Sequence, residues 1–179
     1  RQGAGTVLFL GRLTAQKGPA AFLRAARLVS DEEPSTRFVV AGDGDLLPRL
    51  VEEAVELGLA RRVRFTGFLG PDDVERAYAL ADVLVMPSLS EPFGLTPLEA
   101  LTRGVPTVLS NKCGVSEVVP SQPRCDPEDV DALAALVIEL LQSPSLRREL
   151  VDAGRREIEG LHWDRGARAV LDVVSELVA

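Results

Sequence analysis

Short, largely apolar runs alternate with amphipathic segments along this chain. The runs cover residues 7–10, 38–41, 63–65, 83–86 and 106–109. Each is bounded by glycine, proline or polar residues and is too short for a helix, so each predicts a strand. The runs do not alternate strictly between apolar and polar positions. Strands buried on both faces have this pattern, which is typical of a parallel sheet covered by helices.

The segments between and after these runs carry apolar residues at helical spacing. They predict helices at residues 46–57, from 71 onward, from 126–129 onward, at 144–160 and at 163–177. Gly58 is a natural C-cap for the first helix, and Pro71 suits the first turn of the second. The sequence Asp-Pro-Glu-Asp at 126–129 is expected to open its helix in the same way, with acidic residues in the first turn.

This alternation of strands and helices predicts an α/β fold with a doubly wound parallel sheet. Residues 1–179 are expected to form one domain. Residue 1 is arginine and the first strand follows within a few residues, so we expect the chain to be a domain of a longer protein. Ligands of such sheets bind beyond the carboxyl ends of the strands, which directs attention to the five loops that follow them.

Composition and charge exclude several classes of protein. With 46% hydrophobic and 26% charged residues, the chain has the composition of an ordinary globular domain, not of a disordered one. The net charge is −7 and no basic run is longer than a pair, which argues against a nucleic-acid surface. No stretch approaches the ~20 apolar residues of a membrane span, and no signal peptide is recognisable. We therefore expect a cytoplasmic protein.

Small phosphorylated ligands are compatible with this acidity, because they need only a few cations and backbone amides. The two cysteines, Cys113 and Cys125, lack metal-ligand spacing and are expected to be reduced thiols. His162 is the only histidine and lies beside Trp163, so we expect a structural role for it. A histidine-rich metal site is impossible with one histidine, and a Ser-His-Asp triad would have to use this residue.

The first loop carries two cations, Arg12 and Lys17, flanked by Gly11 and Gly18. They precede a predicted helix N-terminus, where an anion would meet free amides and closely approaching backbone. The loop matches neither the P-loop nor the GxGxxG pattern. The spacing also allows Arg12 to pair with a neighbouring acid while Lys17 is simply exposed. In the second loop, at 42–45, a tight turn with Asp45 as helix N-cap is favoured over a ligand contact.

The fourth loop contains two carboxylates, Glu91 and Glu99, eight residues apart around Gly94 and a helix start. The amides of that helix start could bind phosphate. The sequence at 96–99 equally fits a capping box, in which Glu99 caps its own helix. The fifth loop, at 110–117, is either a wall of the same pocket or a plain turn. Its Glu117 could pair with Lys112 or point to solvent.

Taken together, five segments resemble the group 1 retaining glycosyltransferases, the glycogen-synthase-like branch of the GT-B fold. They are residues 11–13 with 17–18, 41–44, 63–68, 91–95 with 99, and 114–117. The sequence Glu-Pro-Phe-Gly-Leu at 91–95 with its downstream glutamate is the most specific part. The resemblance covers essentially the whole chain and matches the C-terminal, nucleotide-sugar-binding half of that fold, so the acceptor-binding half is expected to be absent.

The resemblance implies a role for each matching residue. Arg12 and Lys17 would bind the donor diphosphate and stabilise the charge of the leaving nucleotide, and Glu91 would contact the donor sugar. Glu99 would accept hydrogen bonds from the ribose. Other donor contacts would come from Gly11, from the phosphate- or sugar-binding amides of Gly94, Leu95 and Thr96, and from Thr66, Gly67 and Phe68 at the base.

The resemblance implies transfer of a hexosyl group from a nucleoside-diphosphate sugar, with no metal and no cofactor. The acceptor sugar or glycoconjugate, and any association with a membrane, would belong to the absent half, so this chain alone is expected to be inactive. Residues 120–125 depart from the family pattern. Two alternatives stay open: a non-catalytic nucleotide-sugar-binding or partner-binding lobe, and a sugar-nucleotide epimerase, which is expected to use further catalytic residues that this chain does not show.

Overall fold

Six parallel strands form one sheet in the computed structural model, which describes residues 5–161 and 163–178. They are β1 Thr6–Leu10, β2 Arg37–Ala41, β3 Val63–Gly67, β4 Val83–Met86, β5 Thr107–Ser110 and β6 Arg124–Cys125. Their order across the sheet is β3-β2-β1-β4-β5-β6. The doubly wound α/β sheet predicted from the sequence is confirmed. The prediction for His162 lies outside the described residues.

The strand β6 was not predicted. It has two residues, which pair in parallel with Leu109 and Ser110 of β5, and so short a strand leaves no hydrophobic pattern to detect. It ends the segment 120–125, the stretch that departs from the family pattern. The strand β5 begins one residue later than predicted, at Thr107. Pro106 has no amide hydrogen to donate, although its carbonyl accepts the Leu84 amide at 2.9 Å.

Eight helices occur in the described part of the chain. They are α1 Pro19–Glu32, α2 Leu47–Glu56, α3 Pro71–Leu80, α4 Thr96–Thr102, α5 Val115–Val118, α6 Val130–Gln142, α7 Pro144–Glu159 and α8 Trp163–Val178. A 3-10 turn, Ala15–Lys17, precedes α1. The predicted terminal helix exists as α8, but the described apolar side chains along it are exposed, including Leu171 and Leu177. None of these helices has the length and apolar content that crossing a bilayer requires.

Apolar side chains cover both faces of the sheet, which explains the absence of strict alternation in the strands. Val7 and Phe9 of β1 join a core with α1, α2 and α6, where the Phe22 ring lies 5.7 Å from the Phe9 ring. Leu8 points to the other face and packs in a second cluster with Tyr78 of α3. Successive residues of a strand face opposite sides, so both faces need apolar residues to be buried.

Two predicted helix starts were wrong. The N-cap of α2 is Leu46, not Asp45, and no side chain caps it. The turn is held instead by backbone bonds to the first loop, because the Leu13 amide donates to the Asp43 carbonyl at 2.9 Å and the Leu46 amide donates to the Leu13 carbonyl at 3.1 Å. These bonds to another part of the chain replace a local cap.

Helix α6 begins at Val130, after the predicted 126–129 opening. The Asp126 carboxylate accepts the Glu128 amide at 3.0 Å, which closes a turn before the helix. Asp129 is the N-cap and accepts the Ala132 amide at 2.9 Å. The acidic sequence therefore forms a turn and a cap instead of the first helical turn.

Candidate functional site

The first and fourth loops lie against each other at the carboxyl ends of β1 and β4. The Leu89 amide donates to the Gln16 carbonyl at 2.8 Å, and the Gln16 side-chain amide donates to the Ser90 carbonyl at 2.8 Å. Gly18 has a φ of 71°, and a Cβ added there would lie 2.1 Å from the Pro87 carbonyl oxygen. Only glycine at this position allows the two loops to lie this close.

The contact brings together two predicted site residues, Lys17 and Glu91. The Lys17 ammonium donates to Oε2 of Glu91, and the two side chains are 23% and 11% exposed. Arg12 is exposed and its guanidinium forms no ion pair with any residue that the structure describes. The alternative of a paired Arg12 beside an exposed Lys17 is therefore wrong. The arrangement leaves one cation free and holds the other against a carboxylate.

Gly94 allows the fourth loop to turn back over β4. Its φ is 97°, and a Cβ added there would lie 2.8 Å from Cε of Met86 and 3.2 Å from Cγ of Glu91. A side chain at this position would therefore crowd the Glu91 side chain that Lys17 holds. The next two residues, Leu95 and Thr96, lead directly into α4.

The fifth loop supports the fourth from the side. The Gly114 amide donates to the Glu91 carbonyl at 3.0 Å, and the Val115 amide donates to the Phe93 carbonyl at 2.8 Å. A Cβ added at Gly114 would lie 2.2 Å from the Pro92 carbonyl oxygen. The fifth loop is therefore not a plain turn, because it packs against the fourth loop.

Glu117, at the end of the fifth loop, is exposed, and Lys112 pairs instead with Asp126, at 3.7 Å. The pairing of Glu117 with Lys112 that the sequence allowed is therefore not formed. Glu117 lies at the same edge of the sheet as Glu91 without entering its ion pair.

Helix α4 begins without a side-chain cap. Its N-cap is Leu95, and the Glu99 carboxylate accepts the hydroxyl of Tyr78 at 3.0 Å. The capping box considered for residues 96–99 is therefore wrong. The amides in the first turn of a helix have no partner within the helix, so those at the start of α4 are free to meet a ligand.

Tyr78 and Arg103 both donate hydrogen bonds to Glu99, Tyr78 to its carboxylate and Arg103 to its carbonyl oxygen. Burial, followed by the nearby Glu99 carboxylate, raises the pKa of Tyr78 well above its usual range, so the phenol keeps its proton. The guanidinium carbon of Arg103 lies 5.1 Å from the centre of the Tyr78 ring. Arg103 also donates to the Glu75 carboxylate, and this hydrogen bond lowers the pKa of Glu75.

The loops after β1, β2 and β3 also meet at this edge. The Gly11 amide donates to the Ala41 carbonyl at 2.9 Å, and the Gly42 amide donates to the Gly67 carbonyl at 2.9 Å. A Cβ added at Gly42 would lie 1.8 Å from the Gly11 carbonyl oxygen. Gly11 itself has open space around it, with no atom within 4 Å of an added Cβ.

The third loop offers a polar side chain followed by an aromatic one. The Thr66 hydroxyl donates to the Gly67 carbonyl at 2.9 Å. Gly67 has a φ of 70°, and the Phe68 side chain that follows is 82% exposed. Exposure of so large an apolar ring is unfavourable unless another surface covers it.

Both cysteines are free thiols, as predicted. Cys113 lies in the fifth loop opposite Glu91, and burial raises the pKa of its thiol. Burial also raises the pKa of Cys125 to about 11. Neither thiol is therefore ionised at neutral pH, which argues against a nucleophilic role. Among residues 5–161 and 163–178, no cluster of three or more His, Cys, Asp or Glu could hold a metal ion.

Sequence reasoning missed Gln16 and Tyr78 as parts of this site. Gln16 holds the fourth loop through its backbone and side chain, and Tyr78 binds Glu99. A glutamine in a loop and a tyrosine in an amphipathic helix carry no signal of such contacts. Their partners lie 74 and 21 residues away in the chain.

Known proteins resemble this chain over nearly its full length. It is 33% identical over 171 residues to an uncharacterized glycosyltransferase of Methanocaldococcus jannaschii, which covers 93% of this chain and 44% of that protein. It is also 33% identical over 177 residues to glycogen synthase of Mycobacterium tuberculosis, which covers 97% of this chain and 43% of that protein. The chain spans less than half the length of these curated relatives.

Two solved structures share its fold. One is the C-terminal domain of a glycosyl transferase group 1 family protein from Francisella tularensis, with a TM-score of 0.79, 22% identity, and coverage of 88% of this chain and 85% of that one. The other is an Anabaena protein in complex with UDP and glucose, with a TM-score of 0.84, 22% identity, and coverage of 97% and 49%.

The family model of the glycosyl transferases group 1 matches residues 1–157. Since this match extends over most of the chain and the relatives are a third identical to it, the chain belongs to the group 1 glycosyltransferases and corresponds to their C-terminal domain.

Proposed function

We propose that this chain binds the nucleotide-sugar donor of a retaining, hexosyl-type glycosyltransferase. The contact of Lys17 with Glu91 beside the uncapped start of α4 carries this proposal. It brings a cation, a carboxylate and free backbone amides to one edge of the sheet, and a sugar diphosphate needs all three. The Anabaena structure with this fold contains UDP and glucose, which supports a donor of the same class.

In this proposal the diphosphate lies over the first loop. Arg12 is exposed and unpaired among the described residues, and Lys17 reaches the same edge, so both can donate to phosphate oxygens. The open space around Gly11 lets the donor approach the backbone. The two cations stabilise the negative charge that the nucleoside diphosphate gains as the glycosidic bond breaks. Together with the α4 amides, the two cations offset this negative charge without a metal ion or cofactor.

The sugar lies between the fourth loop and the start of α4. The Glu91 carboxylate accepts hydrogen bonds from sugar hydroxyls. The amides of Gly94, Leu95 and Thr96 donate to phosphate or sugar oxygens, in keeping with the preference of helix starts for anions. The conformation of Gly94 supports this arrangement, because a side chain there would be strained and would crowd Glu91.

The nucleoside lies toward α3 and β3. Glu99 is exposed in the first turn of α4 and accepts hydrogen bonds from the ribose hydroxyls. Thr66, Gly67 and Phe68 border the base. The exposed ring of Phe68 supports this, because a base would cover part of its apolar surface.

In this proposal a second domain binds the acceptor sugar or glycoconjugate. The protein acts in the cytoplasm. Any association with a membrane is also made by that second domain. The relatives support a second domain, since each is more than twice as long as the part that this chain matches.

Calorimetry with UDP, GDP and ADP tests the donor site. One of them should bind below millimolar concentration, and Arg12→Ala should weaken that binding at least about tenfold, because hydrogen bonds to charged groups contribute about 1.5–3 kcal/mol. The matched control is Arg37→Ala, an exposed arginine at the amino end of β2 and so at the opposite edge of the sheet, which should leave the affinity unchanged. A folded chain that binds none of the three would contradict the proposal.

A further inference from the structure

Tyr78 is a buried side chain whose polar end reaches an exposed carboxylate. The residue is 1% exposed, yet its hydroxyl lies 3.0 Å from Oε2 of Glu99. The carbonyl oxygen of Thr96 is farther away, at 3.3 Å. A phenol has one hydrogen to donate, and a nearby charged acceptor is favoured over a more distant neutral one. The hydroxyl therefore donates to Glu99.

The ring of Tyr78 is held from two sides. It packs against the sheet in a cluster with Leu8, Leu84 and Ala100. The guanidinium of Arg103 covers its other side, 5.1 Å from the ring centre. This packing on two sides fixes the position of the hydroxyl.

Arg103 connects this cluster to the helix that carries Glu99. Its Nε donates to the Glu75 carboxylate at 2.7 Å, and its Nη1 donates to the Glu99 carbonyl at 3.0 Å. The elements α3 and α4 are therefore joined through Tyr78 and Arg103 at the point where the Glu99 side chain leaves α4.

A glutamate on an exposed helix face samples several rotamers, and ordering it on ligand binding costs conformational entropy. The bond to Tyr78 removes that cost, because it holds one carboxylate oxygen before a ligand arrives. The other oxygen stays available to accept hydroxyl groups. Such preorganisation raises affinity without adding a contact to the ligand.

We propose that Tyr78 is a positioning residue, whose hydroxyl orients the Glu99 carboxylate toward the two neighbouring hydroxyls of the donor ribose. This inference rests on the proposed function, in which Glu99 binds the ribose.

The test compares a nucleoside diphosphate with its 2′,3′-dideoxy analogue, using the base that the chain binds best. Calorimetry gives the ratio of the two dissociation constants, which measures recognition of the ribose hydroxyls alone. The wild type should favour the ribonucleotide at least about tenfold, and Tyr78→Phe should reduce that preference about threefold to tenfold. The matched control is Thr102→Ala, which removes a hydroxyl that donates to the Glu99 carbonyl from the same helix and should leave the ratio unchanged.

A double-mutant cycle separates positioning from a structural role. In a Glu99→Ala background, which removes the acceptor of the Tyr78 hydroxyl, Tyr78→Phe should change the ratio no further. If Tyr78→Phe weakens both nucleotides equally, the hydroxyl acts only on the fold and the inference is overturned. If the wild type binds both nucleotides equally well, Glu99 does not bind the ribose, and this part of the proposed function fails together with the inference.

A second measurement leaves the side chain in place. Tyr78 is the only tyrosine of the chain, so replacing tyrosine by 3-fluorotyrosine labels this position alone. The ribonucleotide should shift the fluorine resonance, and the dideoxy analogue should shift it less. Equal shifts would overturn the inference.

Discussion

Lys17 and Glu91 form an ion pair, so a diphosphate has to compete with the Glu91 carboxylate for the Lys17 ammonium group. Glu91→Gln removes that competition and a negative charge beside the phosphates. We expect this variant to bind nucleoside diphosphate about twofold to fivefold more tightly, the range for weak ion pairs, while sugar transfer by the complete enzyme slows. Calorimetry and initial rates measure the two effects.

The control for this prediction is Glu117→Gln, which removes an exposed carboxylate from the neighbouring fifth loop. Its affinity for the nucleotide should stay within experimental error of the wild type. Weaker nucleotide binding by Glu91→Gln would mean that the ion pair helps to hold the diphosphate instead of competing with it.

Lys17→Ala should affect binding and stability through different partners. Losing a charged donor to the diphosphate should weaken nucleotide binding by about 1.5–3 kcal/mol. The free energy of unfolding should also fall by about 1–3 kcal/mol, since Glu91 is 11% exposed and loses its partner. Adding Glu91→Ala should restore stability but regain only a small part of the affinity, through loss of its negative charge, as measured by urea denaturation and calorimetry. Recovery of both would show that Lys17 does not touch the nucleotide.

At the scale of elements, the approach of the first loop to the fourth depends on Gly18. Gly18→Ala and Gly58→Ala form a matched pair, because both glycines have a φ of 71° and only Gly18 has a close neighbour. The left-handed conformation costs any other residue about 1–2 kcal/mol in both variants. Gly18→Ala should lose at least about 2 kcal/mol more, because its Cβ would lie 2.1 Å from the Pro87 carbonyl oxygen.

Chemical denaturation compares the two variants, and calorimetry gives their affinity for nucleotide. Gly18→Ala should also bind nucleotide more weakly, since Pro87 leads into the loop that carries Glu91. Equal losses of stability in the two variants would show that the first loop can move away from Pro87 at no cost.

For the whole molecule, we expect this chain to bind donor without transferring sugar. Positioning of two reactants supplies roughly 7–11 kcal/mol of a barrier, and the proposed acceptor site lies in another domain. Water would reach the bound donor, so any residual activity should be slow hydrolysis. The measurement is release of nucleoside diphosphate from candidate sugar nucleotides, with and without acceptor sugars, by this chain and by the complete protein.

Turnover by this chain that depends on an acceptor, at a rate near that of the complete protein, would contradict this expectation. It would show that residues 1–179 already contain an acceptor site. Nucleotide affinities of the two proteins provide the control, because similar values would show that the donor site is intact in both.

The sequence was sufficient to predict the α/β sheet, five of its strands and the loops in which the site residues lie. These features depend on local patterns: apolar runs form strands, helical spacing forms the covering helices, and residues directly after parallel strands share one edge of the sheet. The segments that resemble the family lie in these loops, so their positions followed from the order of the elements.

Only the tertiary structure decided which side chains meet. Lys17 pairs with Glu91 across 74 residues, and Glu99 accepts a hydrogen bond from Tyr78 instead of capping its own helix. Asp45 likewise loses its predicted capping role to backbone bonds with the first loop. A helix cap or an ion pair predicted between residues that are close in sequence competes with contacts to residues that are distant in sequence but close in the fold. The distances between loops decide that competition, and no local pattern contains them.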